Sequence, residues 1–153
     1  NMKNNIFKLA FNILIPFLLS FLVFLATKND ISYLETLNRK IVFPNMVYPI
    51  VWSILYVLMG IWIYFYEKNH PDDKKTIVVY WLSVFVNLMF SFILFSFHQI
   101  ILAFFDVIVL LIMIGYLFIK NLLQKEKYAY LLLPYIVWLC LATSLMVDLI
   151  VHN

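Results

Sequence analysis

Five long apolar runs constrain this chain more than any other feature of its 153 residues. A helix needs about 20 mainly apolar residues to cross the hydrocarbon core of a bilayer. The runs that meet this requirement are residues 6–26, 46–66, 77–97, 100–119 and 128–151. They predict an all-α integral membrane protein, in which a bundle of five transmembrane helices forms a single membrane domain over residues 1–153.

The composition supports lipid as the main solvent. Hydrophobic residues make up 65% of the chain and charged residues only 12%, whereas soluble domains carry about 25% charged residues. A net charge of +3, dispersed along the chain, does not indicate a nucleic-acid partner. The one cysteine, Cys140, excludes an intrachain disulfide framework. Membrane lipid is therefore the partner that composition predicts most directly.

Two boundaries of the predicted helices need an argument. Only His98 and Gln99 separate the third run from the fourth, and one helix through both would overshoot the bilayer, so we expect a tight reversal there. The first run is long for a signal peptide, and no cleavage motif follows Ala26, so we expect a retained helix. Asn1 precedes Met2, and we interpret it as a residue left over from expression.

The lysines and the arginine predict the orientation of the bundle. Eight lysines fall at one end of the predicted helices, in the N-terminal segment and in the second and fourth loops. Three basic residues fall at the other end, all in the first loop. Cytoplasmic loops carry the excess of basic residues. We therefore expect an N-terminus inside, a C-terminus outside and a location in the cytoplasmic membrane.

The first loop, residues 27–45, is the longest connection and is unusually apolar. We expect it to fold over one end of the bundle as a lid on a cavity. Glycine is scarce, with only Gly60 and Gly115, and no GxxxG motif occurs. Close packing of helices through small residues is therefore not indicated.

Polar residues inside the spans are costly and indicate function or specific pairing. Asn87 forms a stripe with Phe90, Ser91 and Leu94 at helical spacing. Two interpretations remain open: its amide faces a ligand cavity, or it forms a hydrogen bond that joins two helices.

Two acids also lie within the runs. Asp106 is interpreted as a capping or structural group near a helix start, in preference to a proton relay, because no second acid or base accompanies it. Asp148 is close enough to the C-terminus that we expect it to be solvated.

Aromatic residues give a sharper signal. Trp52 and Trp138 lie on stripes that are expected to face the bundle, whereas Trp62 and Trp81 fit a belt at the membrane interface. A pocket with two indoles and one amide suits a flat conjugated ligand. The alternative is ordinary aromatic packing in a glycine-poor core, and periodicity alone favours that alternative.

Other chemistry is not indicated. The three histidines lie in loops or at the terminus and lack metal-site spacing, so we expect no metal. No histidine in a span is placed to ligate a haem, and no glycine-rich phosphate loop occurs. No bound cofactor is therefore predicted.

Three stretches resemble the family of tryptophan-rich sensory proteins and translocator proteins (TspO), also called peripheral-type benzodiazepine receptors. Residues 49–60 read P-I-V-W-S-I-L-Y-V-L-M-G, like the family's P-x-x-W-x-x-L-Y-x-x-M-G. Residues 133–145 read L-P-Y-I-V-W-L-C-L-A-T-S-L, like P-Y-x-x-W-x-x-x-A-T-x-L. Asn87, Gln99 and Asp106 fall at the family's intervals between these stretches.

The resemblance implies a five-helix bundle, often a homodimer, that binds protoporphyrin-type tetrapyrroles and isoquinoline or benzodiazepine ligands. The ligand-binding positions it implies are Trp52, Tyr56, Asn87, Phe90, Trp138, Ala142 and Leu145. Two alternatives are a light-dependent enzyme that degrades protoporphyrin, with Trp52 and Trp138 as catalytic redox partners, and a tetrapyrrole transporter.

The chain also departs from the family. Residues 39–44 read R-K-I-V-F-P, where the family usually has Pro-x-aromatic-x-Pro-Pro. Met146 replaces an Asn or Ser, and the family's sterol consensus is missing at the end of the fifth helix. Lid shape and ligand choice therefore differ from the family pattern, and sterol binding is not expected.

Overall fold

The all-α class is confirmed by a computed structural model, which describes residues 2–43 and 47–153. Its α-helices are α1 (Met2–Thr27), α2 (Val47–Asn69), α3 (Lys74–Ser91), α4 (Ile100–Leu123) and α5 (Leu133–His152). Short 3-10 helices cover Ile31–Thr36 and Lys127–Leu132, and a π-helical turn covers Phe92–Ser96. Five helical segments are long and apolar enough to span a membrane. The protein is therefore an integral membrane protein.

Several helices extend beyond the predicted apolar runs. α2 continues to Asn69 and α4 to Leu123, past the predicted ends at 66 and 119. Hydropathy detects the part of a helix within hydrocarbon, but the backbone hydrogen bonds continue into the headgroup region. The predicted start of the second run at Met46, and the end of the lid segment at Pro44 and Asn45, lie outside the described residues.

The helices form a ring in the order α1, α2, α5, α4, α3, and α3 closes the ring against α1. α2 meets the fifth span mainly at the 3-10 helix Lys127–Leu132, which precedes α5. Among the described residues, α2 and α5 themselves do not pack closely backbone to backbone. The two helices therefore diverge from that segment onward, and side chains fill the space between them.

The reversal between the third and fourth spans lies at His98 and Gln99, where it was predicted. The π-helical turn Phe92–Ser96 widens the end of the span, and His98 has a φ of 56° in the left-handed region. The Gln99 N–H donates to the Ile93 carbonyl at 3.0 Å and closes the turn.

α1 crosses α2 at one very close contact, which the lack of a GxxxG motif did not indicate. A Cβ added at Gly60 would lie 2.7 Å from the Cα of Ile13 and 2.6 Å from its Cγ1. A single glycine at a crossing point brings two backbones together without a GxxxG pattern. Elsewhere α1 is peripheral, because most of its large apolar side chains are exposed to lipid.

The lysine-rich end is the end of the bundle with the N-terminus and the second and fourth loops. Trp62, expected at the membrane interface, is fully buried there, and its indole N–H donates to Asn121 Oδ1 at 3.0 Å. The belt interpretation of Trp62 is therefore wrong. The amide of Asn121 in turn donates to Gln124 at 3.1 Å and to Glu126 at 2.7 Å, so an interior hydrogen-bond network holds the indole.

The first loop is fastened to α5 at the opposite end. The N–H groups of Lys40 and Ile41 donate to Asp148 Oδ2 at 2.9 and 3.1 Å, and Asn38 exchanges two hydrogen bonds with Asn153. Asp148 is only 8% exposed. The expectation that it is solvated is wrong, because loop amides cover its carboxylate.

Candidate functional site

Five aromatic rings from α2 and α5 meet in the space where those two helices diverge. We call Tyr48, Trp52, Tyr56, Tyr135 and Trp138 the aromatic cluster. The Trp52 ring lies 5.8 Å from Tyr56, 6.1 Å from Tyr135 and 6.3 Å from Trp138, measured between centroids. It stacks on Tyr56 and meets the other two edge to face. Trp52 is therefore the centre of the cluster.

Asn87 connects three helices beside this cluster. The Tyr56 hydroxyl donates to Asn87 Oδ1 at 3.2 Å, and the Asn87 amide donates to the Tyr135 hydroxyl at 2.7 Å. Asn87 is 7% exposed. The interpretation of Asn87 as an interhelical hydrogen-bonding group therefore fits the structure, and the same bonds place its amide directly behind two rings of the cluster.

Trp138 carries a buried polar atom of the cluster that has no partner among the described residues. Its side chain is 8% exposed, and its indole N–H has no hydrogen-bond acceptor among the described residues. An unpaired donor in an apolar surrounding costs about 1–3 kcal/mol. Trp138 also forms part of the wall of an apolar groove of about 490 Å³ that runs between α2 and α5.

The remaining predicted ligand residues are less central. Phe90 and Ala142 are half-buried and pack against the core. Leu145 is half-buried on α5, two turns beyond Trp138. The sequence interpretation omitted Tyr48, whose ring lies 6.2 Å from Trp138, and Phe17 of α1, whose ring lies 5.6 Å from Tyr56. The spacing of four residues from Tyr48 to Trp52 was a usable signal for the first, but no local pattern indicates Phe17.

Comparison with known proteins decides the family. A model described as TspO/MBR family matches residues 11–151, which is nearly the whole chain. The chain belongs to the TspO/MBR family. It is also similar to the tryptophan-rich protein TspO of Archaeoglobus fulgidus, with 28% identity over 103 residues that cover 67% of each chain. The resemblance drawn from the motifs is thus confirmed at the level of the family.

Asp106 does not act as a cap in this TspO/MBR-family protein. α4 begins at Ile100, its N-cap is Gln99, and Asp106 follows two turns later. Its Oδ2 is buried without a hydrogen-bond partner among the described residues. The capping interpretation is therefore wrong, because the helix begins too early for this carboxyl to reach its free N–H groups.

The geometry defines what this TspO/MBR-family site can do chemically. Its walls are π-faces, and its polar groups are an amide, tyrosine hydroxyls and an indole N–H. Such groups stack and donate hydrogen bonds, but they are poor acids and bases at neutral pH. Since the rings touch one another, a flat ligand has to separate them in order to bind.

Proposed function

We propose that this TspO/MBR-family protein binds a porphyrin-type tetrapyrrole between α2, α3 and α5, under the first loop. The observation that carries the proposal is the buried, unpaired N–H of Trp138 within a cluster of aromatic rings. A tetrapyrrole offers a large π-face for the rings and carboxylate side chains that accept hydrogen bonds. Ligand binding would thus give the Trp138 indole N–H the hydrogen-bond acceptor that it otherwise lacks.

Access to this site involves Trp52 and the seam between α2 and α5. Trp52 is only half-buried, whereas Tyr56 and Tyr135 are buried and hydrogen-bonded to Asn87. Rotation of the Trp52 ring breaks packing contacts, of which each aromatic pair is worth about 0.5–1.5 kcal/mol. We therefore propose that Trp52 moves to admit the ligand while Asn87 keeps the back wall in place. Isoquinoline and benzodiazepine ligands, which are aromatic but smaller, would use the same opening.

The test is a titration of detergent-purified protein with protoporphyrin IX in darkness. Binding is measured from the shift of the porphyrin absorption band. Trp52→Phe, Trp138→Phe and Asn87→Ala are compared with the native chain. Tyr116→Phe is the control, because Tyr116 is exposed on α4 and lies outside the cluster. We expect saturable binding at low micromolar ligand, weakened about tenfold by Trp138→Phe and unchanged in the control, since one lost hydrogen bond is worth about 1.4 kcal/mol.

Linear, non-saturable changes that are the same in all variants would show that no tetrapyrrole site exists here. Saturable binding that is unaffected by Trp52→Phe, Trp138→Phe and Asn87→Ala would show that the site lies elsewhere. In either case the aromatic cluster would have only a packing role.

Light-dependent degradation of the bound porphyrin is the second candidate function. The rings of Trp52 and Trp138 lie 6.3 Å apart and are both oxidisable, which suits electron exchange with an excited porphyrin. This function requires that illumination with oxygen bleaches the porphyrin band and that either Trp→Phe change stops the bleaching. Stable absorbance under light would leave binding alone, and porphyrin flux into sealed vesicles would instead support transport.

We propose further that the lysine-rich end faces the cytoplasm, that the membrane is the cytoplasmic one and that the protein forms a homodimer. The eight lysines at one end support the orientation. A cysteine introduced at Lys75, in the first turn of α3, should resist an impermeant thiol reagent in intact cells, and labelling there would show the opposite orientation. Light scattering of the detergent-purified protein measures the oligomeric state, and a monomer mass would contradict the dimer.

A further inference from the structure

A second groove lies away from the aromatic cluster, near the lysine-rich end. It has a volume of about 550 Å³ and separates the first turns of α1 from α2 and α3. Phe11 and Ile15 of α1 and Trp81 of α3 supply apolar walls. Asn12 and the ion pair of Lys8 with Glu67 supply the polar ones. The groove lies beyond the close contact of α1 with α2 at Gly60, on the side of the N-terminus of α1.

Asn12 is the unusual residue of this groove. It is 3% exposed, and its side-chain amide has no hydrogen-bond acceptor among the described residues. Inside a bilayer no water is available to pair a free amide, and each unpaired group costs several kcal/mol. A ligand that carries an acceptor into the groove would remove that cost.

Lys8 supplies a charge one helical turn above Asn12. Its Nζ lies 2.9 Å from Glu67 Oε2, and the lysine side chain is still 52% exposed. An ammonium group has three N–H donors, so the ion pair leaves two of them for another acceptor. Lys68, beside Glu67, is also exposed, and the whole end is rich in lysine.

We propose that this groove binds one anionic glycerophospholipid as a specific ligand. The phosphate accepts from Lys8, an ester carbonyl accepts from Asn12, and an acyl chain lies along Phe11, Ile15 and Trp81. Four residues of α-helix rise by about 6 Å, which is similar to the separation of phosphate and ester carbonyl across a glycerol backbone. Basic groups at the membrane surface favour anionic lipids. The inference does not depend on tetrapyrrole binding.

Native mass spectrometry on the full chain tests the proposal. The protein is released from nanodiscs that contain equal amounts of dioleoyl phosphatidylglycerol and dioleoyl phosphatidylcholine. We expect one retained phosphatidylglycerol, with an affinity about tenfold lower in Asn12→Leu. In Lys8→Gln the preference for phosphatidylglycerol over phosphatidylcholine should disappear. Asn5→Leu and Lys75→Gln are the matched controls, since both residues are exposed, and both variants should retain the lipid as the native chain does.

Ile15→Trp is an independent variant that fills the groove without touching its polar groups, and it should displace the same lipid. Lipid-free melting temperatures check the fold, and Asn12→Leu should melt no lower than the native chain because it removes an unpaired amide. Equal phosphatidylglycerol retention in Asn12→Leu and Ile15→Trp would overturn the proposal. A dimer that dissociates in Asn12→Leu with lipid retention unchanged would also overturn it, and would identify a second copy of the chain as the partner of Asn12.

Discussion

Single residues decide how the bundle is held together, and the two glycines show this most directly. Gly60 lies at the crossing of α1 and α2, where an added Cβ would be within 3.0 Å of three atoms of Ile13, two of them backbone atoms. At Gly115 an added Cβ meets nothing within 4 Å. The sequence does not distinguish these two glycines, since both lie within an apolar helix.

Gly60→Ala should therefore destabilise the protein, because α1 has to move away from α2 to admit the methyl group. We expect a loss of about 1–3 kcal/mol, the usual cost of overpacking. Thermal unfolding in detergent measures the change. Gly115→Ala is the matched control and should be neutral or stabilising by up to about 1 kcal/mol, because alanine favours helix. An equal effect of both changes would contradict the close crossing.

Asn121→Ala gives a second prediction at this scale. Its amide accepts from the indole of Trp62 in the fully buried core. Removal of the acceptor leaves that N–H unpaired, which should cost about 1–3 kcal/mol in unfolding free energy. Denaturant unfolding in detergent measures the change, and an unfolding free energy equal to that of the native chain would contradict the role of this hydrogen bond.

The sequence allowed part of the residue-level picture to be predicted. Helical stripes predicted that Trp52 and Trp138 face the bundle, and the family resemblance grouped them with Asn87. In the structure their helices meet around Tyr56 and Tyr135. Trp62 was misassigned because its partner lies 59 residues away on α4. Long-range side-chain pairs of this kind leave no local periodicity.

At the scale of elements, the ends of the helices carry most of the polar contacts. Asp73 caps α3: its carboxylate accepts from the Thr76 N–H at 3.3 Å and from the Thr76 hydroxyl at 2.8 Å. It also accepts from Tyr66 at 2.6 Å and pairs with Lys120 of α4 at 3.0 Å. One carboxylate thus fixes the start of α3 against α2 and α4. Helix ends need such partners because their first N–H groups are free.

This geometry predicts an acid sensitivity. The hydrogen bond from Tyr66, together with those from Thr76 and Lys120, outweighs burial and holds the pKa of Asp73 well below its ordinary value of 3.8. Because the pKa of Asp73 is lower in the folded than in the unfolded chain, its carboxylate stabilises the fold fully above about pH 3.8. This stabilisation is lost as the pH falls towards the pKa of the folded state.

Melting temperature followed from pH 7 to pH 2.5 tests this expectation. The native chain should lose stability below about pH 4, and Asp73→Asn should lose less over the same range. At pH 7 the variant should be less stable by about 0.5–2 kcal/mol, the usual value of an N-cap. Asp72→Asn is the control, since Asp72 is exposed beside it. Parallel pH profiles for native chain and Asp73→Asn would exclude this role.

The elements themselves were largely predictable, because a run of apolar residues long enough to cross a bilayer has almost no other structure open to it. Helix ends were less predictable. The extension of α2 to Asn69 and the π-helical turn Phe92–Ser96 depend on polar partners and packing, and hydropathy does not report either of them.

At the scale of the whole molecule, the bundle is closed at one end by the lysine-rich network and at the other by the first loop. The loop is attached at Asp148 and Asn153, and a stacked pair of rings, Tyr33 on His98, joins it to the reversal at 3.8 Å. The sequence predicted that the loop covers the bundle from its apolar character. It did not predict how, because the partners of Asp148 are backbone N–H groups, which have no sequence signature.

Asp148→Ala should release this loop from α5. Hydrogen bonds to a charged group are worth about 1.5–3 kcal/mol, so amide exchange at Lys40 and Ile41 should accelerate by about tenfold or more. Hydrogen–deuterium exchange measures this on the intact protein. Ser144→Ala is the control, because that hydroxyl bonds only to its own helix, and exchange should stay as in the native chain. Unchanged exchange in Asp148→Ala would show that other contacts hold the loop.

The divergence of α2 from α5 has a consequence for selectivity. Elsewhere in the ring, the backbones of neighbouring helices come closer together, but along this seam aromatic rings occupy the interior side of the separation. The interior volume there can change through side-chain rotations, with no shift of a helix. For the proposed function, a site built in this way would discriminate poorly between ligands of different outline and would respond mainly to how much flat surface they offer. It would accommodate many conjugated molecules of unequal size, and exclusion of the wrong ones would fall to the loop above.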